Sequence, residues 1–408
     1  MNYRLSRITR TTLALSLLSC FAAPALAETS AEERFRTLEL RLNNLESENR
    51  TLKDQVKQTE QKVDATGTQM DRLAGQGGSA GANKTKLGGY GELHLNKLKS
   101  QTGGADTDML DLHRFVLFIG HEFNDSVRLF SEFEVEHALA GESKPGEVEL
   151  EQAYLEFDLN DKLSAKGGVF LIPVGIINET HEPPTFYGVE RNQVETNIIP
   201  ATWWEGGAAV TARLGSGFTL DGAITSGLKA AAASGYKPRN GRQKVANATA
   251  KDAAYTARLK WSGMPGVELA GTVHRQTDTT QSVDATAGAA TLYEAHAVVN
   301  KGALGLRALY AEWKMDGSGP KAIGADKQVG WYVEPSWKFA EKWGVFARQS
   351  SWDNAAGNAT NSKFSQADVG VNYWPHPDVV VKLDYQDQKA PAGQNELDGF
   401  NLGLGYQF

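Results

Sequence analysis

The sequence predicts an all-β protein, a 16-stranded antiparallel transmembrane β-barrel preceded by an N-terminal α-helical coiled coil. Three observations lead to this prediction. Apolar residues recur at every third or fourth position between residues 35 and 73. From Lys86 to the carboxyl terminus they recur at every second position. In this second part, short breaks that are typical of tight turns alternate with longer connections.

Residues 1–27 are predicted to be a secretory signal peptide. Three arginines precede an apolar run from Thr12 to Leu18, and Ala25-Leu26-Ala27 supplies the small residues of a cleavage site. The single cysteine, Cys20, lies in this segment, and a lipoprotein signal around it is the alternative. The remaining chain has no thiol for a disulfide or a thiolate metal site.

The charge of the chain beyond residue 27 argues against one class of partner. It carries 39 Lys and Arg against 49 Asp and Glu, a net charge of −10, and no segment concentrates basic residues. We therefore expect no nucleic acid partner, because phosphate contacts need clustered cations. No later segment has 18 consecutive apolar residues, which argues against a transmembrane helix but leaves barrel strands open.

Residues 28–74 are predicted to form a coiled-coil stalk that joins chains. The seam is Phe35, Leu38, Leu42, Leu45, Asn49, Leu52, Val56, Thr59, Val63, Thr66, Met70 and Leu73, more than five heptads with charged residues on the other faces. Asn49 falls at an a position, where a buried polar residue fixes register and oligomeric state. A long solvated helix docked on the barrel is the alternative. Residues 75–85, rich in Gly and Ala, are predicted to be a flexible linker.

Residues 86–408 are predicted to form the barrel, and the last strand shows the period of two most clearly. Its apolar face holds Phe400, Leu402, Leu404, Tyr406 and Phe408, and its small and polar face holds Asn401, Gly403, Gly405 and Gln407. A strand with lipid on one side and water on the other has this pattern.

Turns and connections alternate strictly along the predicted barrel. Short breaks fall at 124–125, 160–161, 215–216, 263–265, 300–302, 340–342 and 375–378, and longer connections at 99–109, 139–146, 173–201, 229–251, 277–289, 315–327, 354–364 and 389–396. Barrels of the outer membrane have short periplasmic turns and long external loops. The breaks delimit 16 strands, and a barrel of that size encloses a water-filled lumen.

Aromatic residues near the short breaks and the barrel end are expected to form a girdle at the periplasmic interface of the membrane. They are Phe123, Phe157, Phe218, Trp261, Trp337, Phe339, Trp343, Trp374, Tyr406 and Phe408.

The third long connection, 173–201, mixes bulky, charged and proline residues, and its neighbourhood resembles a known family. Gly168, Phe170, Pro173 and Gly175 in "GGVFLIPVG", followed by Phe186, Glu190 and Arg191 in "TFYGVER", resemble the phosphate-selective O/P porins. The relatives of that family include porins with a periplasmic coiled-coil stalk that pass dicarboxylates. The resemblance implies a homotrimeric diffusion porin in outer-membrane lipid that passes small anionic solutes.

In general porins the third external loop folds into the lumen. We therefore expect 173–201 to narrow this pore, with Arg191, Glu190, His181 and Glu182 at the constriction. Arg191 is the residue expected to matter most, because a guanidinium in a narrow part of the pore attracts carboxylate or phosphate strongly.

Charges of both signs are expected on the water-facing wall. The predicted cations are Lys166, Arg213, Arg258, Lys260, Arg348 and Lys382, and the predicted anions are Glu132, Glu134, Glu136, Glu156, Asp158 and Asp384. Opposite charges on different sectors of one wall would produce a transverse field that orients polar solutes.

The sequence does not indicate an enzyme, a cofactor or a metal site. None of the eight His lies at metal-ligand spacing from another, and neither G-x-S-x-G nor H-E-x-x-H occurs. His181-Glu182 is expected to be a solvated loop pair. The alternative function is structural: the coiled coil would tether the barrel to a periplasmic partner or the cell wall, with non-selective conduction secondary.

The first testable prediction concerns the stalk. Replacing Leu45 and Leu52 by Lys should weaken association of a peptide spanning residues 28–75, because the new charges would be buried at d positions. Analytical ultracentrifugation measures the change, and Ser47→Lys, at an exposed f position, is the control. A wild-type peptide that stays monomeric at high concentration would refute the stalk.

Overall fold

The structure, a computed structural model, describes residues 84–408. The predicted signal peptide, the predicted coiled coil and the predicted linker up to residue 83 lie outside the described residues. These three predictions therefore remain predictions.

Residues 84–408 contain sixteen strands that form one closed antiparallel barrel, as predicted. Each strand pairs with its neighbours in sequence, and β16 pairs with β1 to close the sheet. The strands are β1 Thr85–Ser100, β2 Thr107–Asn124, β3 Val127–Glu136, β4 Val148–Asn160, β5 Leu163–Leu171, β6 Trp204–Gly215, β7 Phe218–Thr225, β8 Ala254–Met264, β9 Val267–Gln276, β10 Ala290–Lys301, β11 Leu304–Met315, β12 Lys327–Ala340, β13 Trp343–Asp353, β14 Phe364–His376, β15 Val379–Lys389 and β16 Leu397–Gln407.

The connections alternate between short and long, as the sequence predicts. The long ones span 101–106, 137–147, 172–203, 226–253, 277–289, 316–326, 354–363 and 390–396. They contain the short helices α1 (Gln193–Asn197) and α2 (Ser318–Ala322) and three 3₁₀ turns, Pro183–Thr185, Ala232–Ser234 and Pro238–Gly241. Across residues 84–408, no helix has the length and apolar character needed to cross a membrane.

The two faces of the strands differ in exposure in the way that the period of two predicts. In β16 the side chains of Phe400, Leu402 and Leu404 are exposed on the outer face, whereas Asn401 is buried on the inner face. Among the predicted girdle residues, Phe123, Phe157, Phe218, Trp337, Phe339, Trp343 and Phe408 are exposed. The prediction that Trp374 belongs to the aromatic girdle was wrong. It shares the inner face with Asn372, and its ring packs against Tyr187 with centroids 5.5 Å apart.

Two strands near the long-connection end carry one extra residue each. Glu92 pairs with Arg114 while Leu93 pairs with Leu112, which leaves His113 as a β-bulge in β2. Glu132 pairs with Gln152 while Phe133 pairs with Leu150, which leaves Glu151 as a β-bulge in β4. A bulge changes the direction in which a side chain points. Glu151 and Gln152 are both buried, whereas Leu150 is exposed on the outer face.

The carboxyl-terminal residue closes the sheet. The Phe408 amide donates to the Gly89 carbonyl at 2.9 Å, and the Gly89 amide donates to the Phe408 carbonyl at 3.0 Å. A Cβ on Gly89 would lie 2.2 Å from the Val116 carbonyl oxygen, so this position has no room for a side chain.

The second testable prediction concerns this seam. Deleting Phe408 should lower the folded, heat-modifiable barrel in membranes at least about two-fold, because two closing hydrogen bonds and a lipid-facing ring are lost together. Semi-native gels measure the folded fraction. Phe408→Leu is the matched control, since it keeps the backbone pairing. An unchanged folded fraction in the deletion variant would show that this pairing is dispensable.

Candidate functional site

The third long connection, residues 172–203, packs against the inner face of the barrel. Ile198 and Trp203 are fully buried in one cluster with Leu292, Trp313 and Tyr332 of strands β10, β11 and β12. The Trp313 indole donates to the Ile198 carbonyl at 2.9 Å. Apolar side chains on the inner face of a water-filled barrel would otherwise be exposed, so this packing stabilises the inward position of the connection.

The buried carboxylate of Glu195 joins residues 176–177 of the connection to residues 192–195. Glu195 accepts hydrogen bonds from the Ile176 and Ile177 amides at 2.6 Å, from the Asn192 side chain at 2.9 Å and from the Tyr332 hydroxyl at 3.0 Å. Asn192 also caps α1, since its side chain accepts from the Glu195 amide. One side chain thus joins two parts of the connection to strand β12.

Residues 185–189 of the connection are joined to strands β11, β14 and β15. The Val189 amide donates to Asp384 on β15 at 2.6 Å, and Asn372 on β14 donates to the Phe186 carbonyl at 3.3 Å. Arg307 on β11 donates to the Thr185 carbonyl at 2.7 Å. Gly188 has φ +82°, a conformation that glycine adopts without strain. These contacts hold residues 185–189 against the inner face of the barrel.

Two cavities lie against the connection. The lower cavity, about 390 Å³, is lined by Glu179 and Thr185 together with residues of the short turns, such as Gly302 and Lys342. The upper cavity, about 180 Å³, is lined by Glu190 and Arg191 together with residues near the long connections, such as Glu136 and Lys244. The connection therefore lies between two cavities, one toward each end of the barrel.

Glu190 and Arg191 have different partners in the upper cavity. Glu190 accepts from Asn96 at 3.0 Å, and it lies 3.0 Å from the Nδ1 atom of His94. Arg191 donates from Nη1 to the Thr202 hydroxyl at 2.8 Å. The Nε and Nη2 atoms of Arg191 are buried and have no hydrogen-bond partner among the described residues.

Two further arginines reach the upper cavity from the fourth long connection, 226–253. Arg239 donates from Nη1 to the carbonyls of Thr196 and Ala201, at 3.2 and 3.0 Å, and Arg242 donates to the Thr202 carbonyl. Burial, with the charges of Arg242 and Arg191 adding to it, lowers the pKa of Arg239 to about 10. Arg239 therefore stays protonated at neutral pH.

Two of the six predicted wall cations, Arg348 and Arg258, lie in compensated positions on the inner face. Arg348 lies between Glu334 and Asp368, at 3.0 and 3.1 Å. Arg258 pairs with Asp221 at 2.7 Å and also with Glu179 of the third connection. Their charges are thus neutralised by neighbouring carboxylates.

The remaining predicted cations differ in surroundings. The Nζ atom of Lys382 lies 3.5 Å from the centroid of the Phe186 ring, and that of Lys166 lies 5.1 and 5.0 Å from the rings of Tyr154 and Phe170. Lys260 is buried and lines the lower cavity. Arg213 is exposed near the short turn that follows β6, away from both cavities.

Five of the six predicted anions lie on strands β3 and β4, and Asp384 lies on β15. Glu132 and Glu134 are fully buried, and Glu134 lies 3.6 Å from Arg114. Glu156 and Asp158 both lie near Arg128, at 3.6 and 2.5 Å. These carboxylates therefore lie in one sector of the barrel wall, where Glu132 contacts His181 of the connection.

His181 and Glu182 do not form a solvated pair, so that expectation was wrong. His181 is 1% exposed and Glu182 is 8% exposed. The Nε2 atom of His181 lies 3.1 Å from Glu132. A loop that folds inward buries residues that would be hydrated on an outside loop, and the local sequence does not reveal which of the two occurs.

Sequence reasoning missed Arg239 and Arg242. They lie in a connection rich in Ala and Gly, and no periodic pattern marks them. The statement that no segment concentrates basic residues was wrong for "KPRNGRQK", residues 237–244, and this density of basic residues was the available signal. Four cations in eight residues, in a loop of a predicted pore, indicate an anion-facing surface.

A model of the family described as phosphate-selective porin O and P matches residues 89–408 of this chain. This match spans the barrel from β1 to its last residue.

Two solved outer-membrane proteins share the fold. The anion-selective porin from Comamonas acidovorans is 12% identical with a TM-score of 0.57, over 79% of this chain and 99% of that chain. The outer membrane channel DcaP of Acinetobacter baumannii is 15% identical with a TM-score of 0.56, over 79% of this chain and 97% of that chain. Identities this low show a common barrel architecture.

One curated relative is more similar in sequence over a shorter stretch. An uncharacterized protein of Aquifex aeolicus is 43% identical over 125 residues, 30% of this chain. The match spans only 28% of the length of that relative.

The third testable prediction concerns Glu195. Glu195→Ala leaves at least four buried donors without an acceptor, each costing about 1–3 kcal/mol. Amides in residues 172–203 should then exchange hydrogen at least about ten-fold faster, measured by mass spectrometry on the detergent-solubilised protein. Glu142→Ala, in the exposed connection 137–147, is the control. Equal exchange in wild type and Glu195→Ala would show that this carboxylate does not hold the connection.

Proposed function

The chain belongs to the phosphate-selective porin O and P family, and we propose that it is a diffusion porin for small hydrophilic solutes that prefers anions such as phosphate or dicarboxylates. The family and the closed 16-stranded barrel point to an outer-membrane channel. They also favour a channel without enzymatic activity.

The third long connection is the proposed constriction. Its contacts with opposite sectors of the barrel, at Glu132 on β3 and Tyr332 on β12, and its position between the upper and lower cavities support this role. A solute that crosses the barrel would pass Glu190 and Arg191 in the upper cavity and Glu179 in the lower cavity.

The observation that carries the proposed anion preference is the uneven pairing of charges in the upper cavity. Glu92 pairs with Arg114, Glu190 with His94, and Glu149 with Lys244. By contrast, Arg191, Arg239 and Arg242 make hydrogen bonds only to hydroxyl and carbonyl groups within residues 84–408. Three guanidinium groups with no carboxylate partner attract an entering anion.

Two carboxylates oppose this attraction. Glu136 and Glu151 also line the upper cavity. A charge a few Å from the ion path contributes about 1–4 kcal/mol, depending on the local dielectric, and charges more than about 8–10 Å away are largely screened. With three uncompensated cations against two carboxylates, we expect a weak to moderate anion preference.

We further propose that the chain is exported, loses residues 1–27 and assembles as a homotrimer, with the coiled coil in the periplasm. The length of the apolar seam from Phe35 to Leu73 and the polar residue Asn49 within it support a stalk that holds chains together.

The fourth testable prediction concerns Arg191. Arg191→Glu should reduce or invert the anion preference and change the single-channel conductance, because it replaces an uncompensated cation in the upper cavity by an anion. The reversal potential of the protein in a planar bilayer under a KCl gradient measures the preference. Arg213→Glu makes the same change of charge away from the cavity and should have little effect. Identical selectivity and conductance in wild type and Arg191→Glu would place the connection outside the conduction path.

A further inference from the structure

One buried cluster joins the third connection to the wall of the barrel. Its members are His181 of the connection, Glu132 of β3 and Glu151 of β4, and all three are at most 2% exposed. The Nε2 atom of His181 lies 3.1 Å from Glu132 Oε1 and 3.9 Å from Glu151 Oε2. One donor atom from each residue lies within 4.8 Å of the others. Residues distant in sequence thus converge on one point.

The hydrogen bonds of His181 determine which nitrogen faces this point. Its Nδ1 atom lies 3.2 Å from the Asn178 carbonyl oxygen, which can only accept, so Nδ1 carries a proton. Asn178 is held in place by bonds with the backbone of Ile172 and Trp203. In the neutral ring, the lone pair of Nε2 then points at two carboxylate oxygens. Three facing lone pairs need either a proton or a metal ion between them.

The two carboxylates are also fixed in position. Gln152 donates to Glu132 Oε2 at 2.6 Å, which leaves Oε1 to face His181. The β-bulge in β4 places Glu151 on the inner face next to Gln152. Glu151 Oε2 is buried and has no hydrogen-bond partner among residues 84–408. An unsatisfied buried carboxylate oxygen is costly unless a cation binds it.

The spacing and chemistry of the three donors fit a transition metal. Zn²⁺ binds His nitrogen and carboxylate oxygen at about 2.0–2.2 Å, so neighbouring ligands in a tetrahedral site lie about 3.3–3.6 Å apart. The distances of 3.1 and 3.9 Å bracket this value. The bond from Nδ1 of a ligand His to a carbonyl is the usual arrangement around such ions. Because Glu151 also lines the upper cavity, an ion can enter from the pore.

We propose that His181, Glu132 and Glu151 bind a Zn²⁺ ion that fastens the third connection to strands β3 and β4. Three protein ligands would leave one coordination position of a tetrahedral ion for water. A bound ion would neutralise Glu151 in the upper cavity, but zinc affinity and ion selectivity are measured separately, so the two proposals can fail separately.

The experiment uses the full chain without an affinity tag, treated with EDTA and then exchanged into chelator-free detergent buffer. Isothermal titration with Zn²⁺ gives the affinity, and X-ray absorption of the zinc-loaded protein gives the ligands. We expect a saturable site with one imidazole and at least two oxygen ligands. Two imidazoles would instead indicate the second candidate cluster, His94, His113 and Glu190, and would overturn the proposal.

Two variants and a control test the assignment. His181→Gln and the isosteric Glu151→Gln should each weaken Zn²⁺ binding at least about ten-fold. His296→Gln is the control and should bind as wild type does. His296 is equally buried between two carboxylates, but it contacts Glu294 through Nδ1 and Glu268 through Nε2, so no single point lies near all three donors.

Folding of each variant is checked by its heat-modifiable migration on gels. Absence of saturable Zn²⁺ binding by the wild-type chain would refute the proposal without any variant. Equal affinity in wild type and in a folded Glu151→Gln would refute it as well, since the bound Zn²⁺ would then have no ligand from Glu151.

Discussion

Everything in this structure depends on the closure of one sheet. A backbone amide or carbonyl inside a bilayer has no water to bind, so every strand needs a neighbour on both sides. Pairing of β1 with β16, through Gly89 and Phe408 at its end, removes the last open edge. Sixteen strands enclose a space too wide for wall side chains to fill. The long third connection can therefore lie within it and bring its polar residues against the wall.

The fold was predictable because its signals are local. An apolar residue at every second position and a tight turn at every second break can be read from a few residues at a time, as in Phe400 to Phe408. The candidate site was predictable only in part. Arg191 was identified through the connection that carries it, whereas Arg239 comes from a different connection and meets it only in the folded chain. The proximity of His181 to Glu132, 49 residues earlier, follows from how the connection crosses the lumen.

Trp374 shows the same limit on a smaller scale. Aromatic residues near turns are typical of the membrane interface, but its parity with Asn372 places it on the inner face, where Tyr187 is available as a partner. A residue near a strand end can belong to either face. The face that such a residue occupies depends on what fills the lumen beside it. For Trp374 the neighbour is Tyr187, which lies almost 190 residues earlier in the chain.

The single extra residue in β4 has a consequence for how such barrels diversify. Leu150 and Leu155 stay on the outer face on either side of Glu151 and Gln152, so the insertion adds a lumen side chain without shifting the membrane-facing ones. The same holds for His113 in β2, which stacks on His94 with ring centroids 4.7 Å apart. One-codon insertions at these points let the pore acquire or lose a chemical group while the lipid-facing surface stays the same. Lumen chemistry and membrane compatibility can thus evolve separately in one strand.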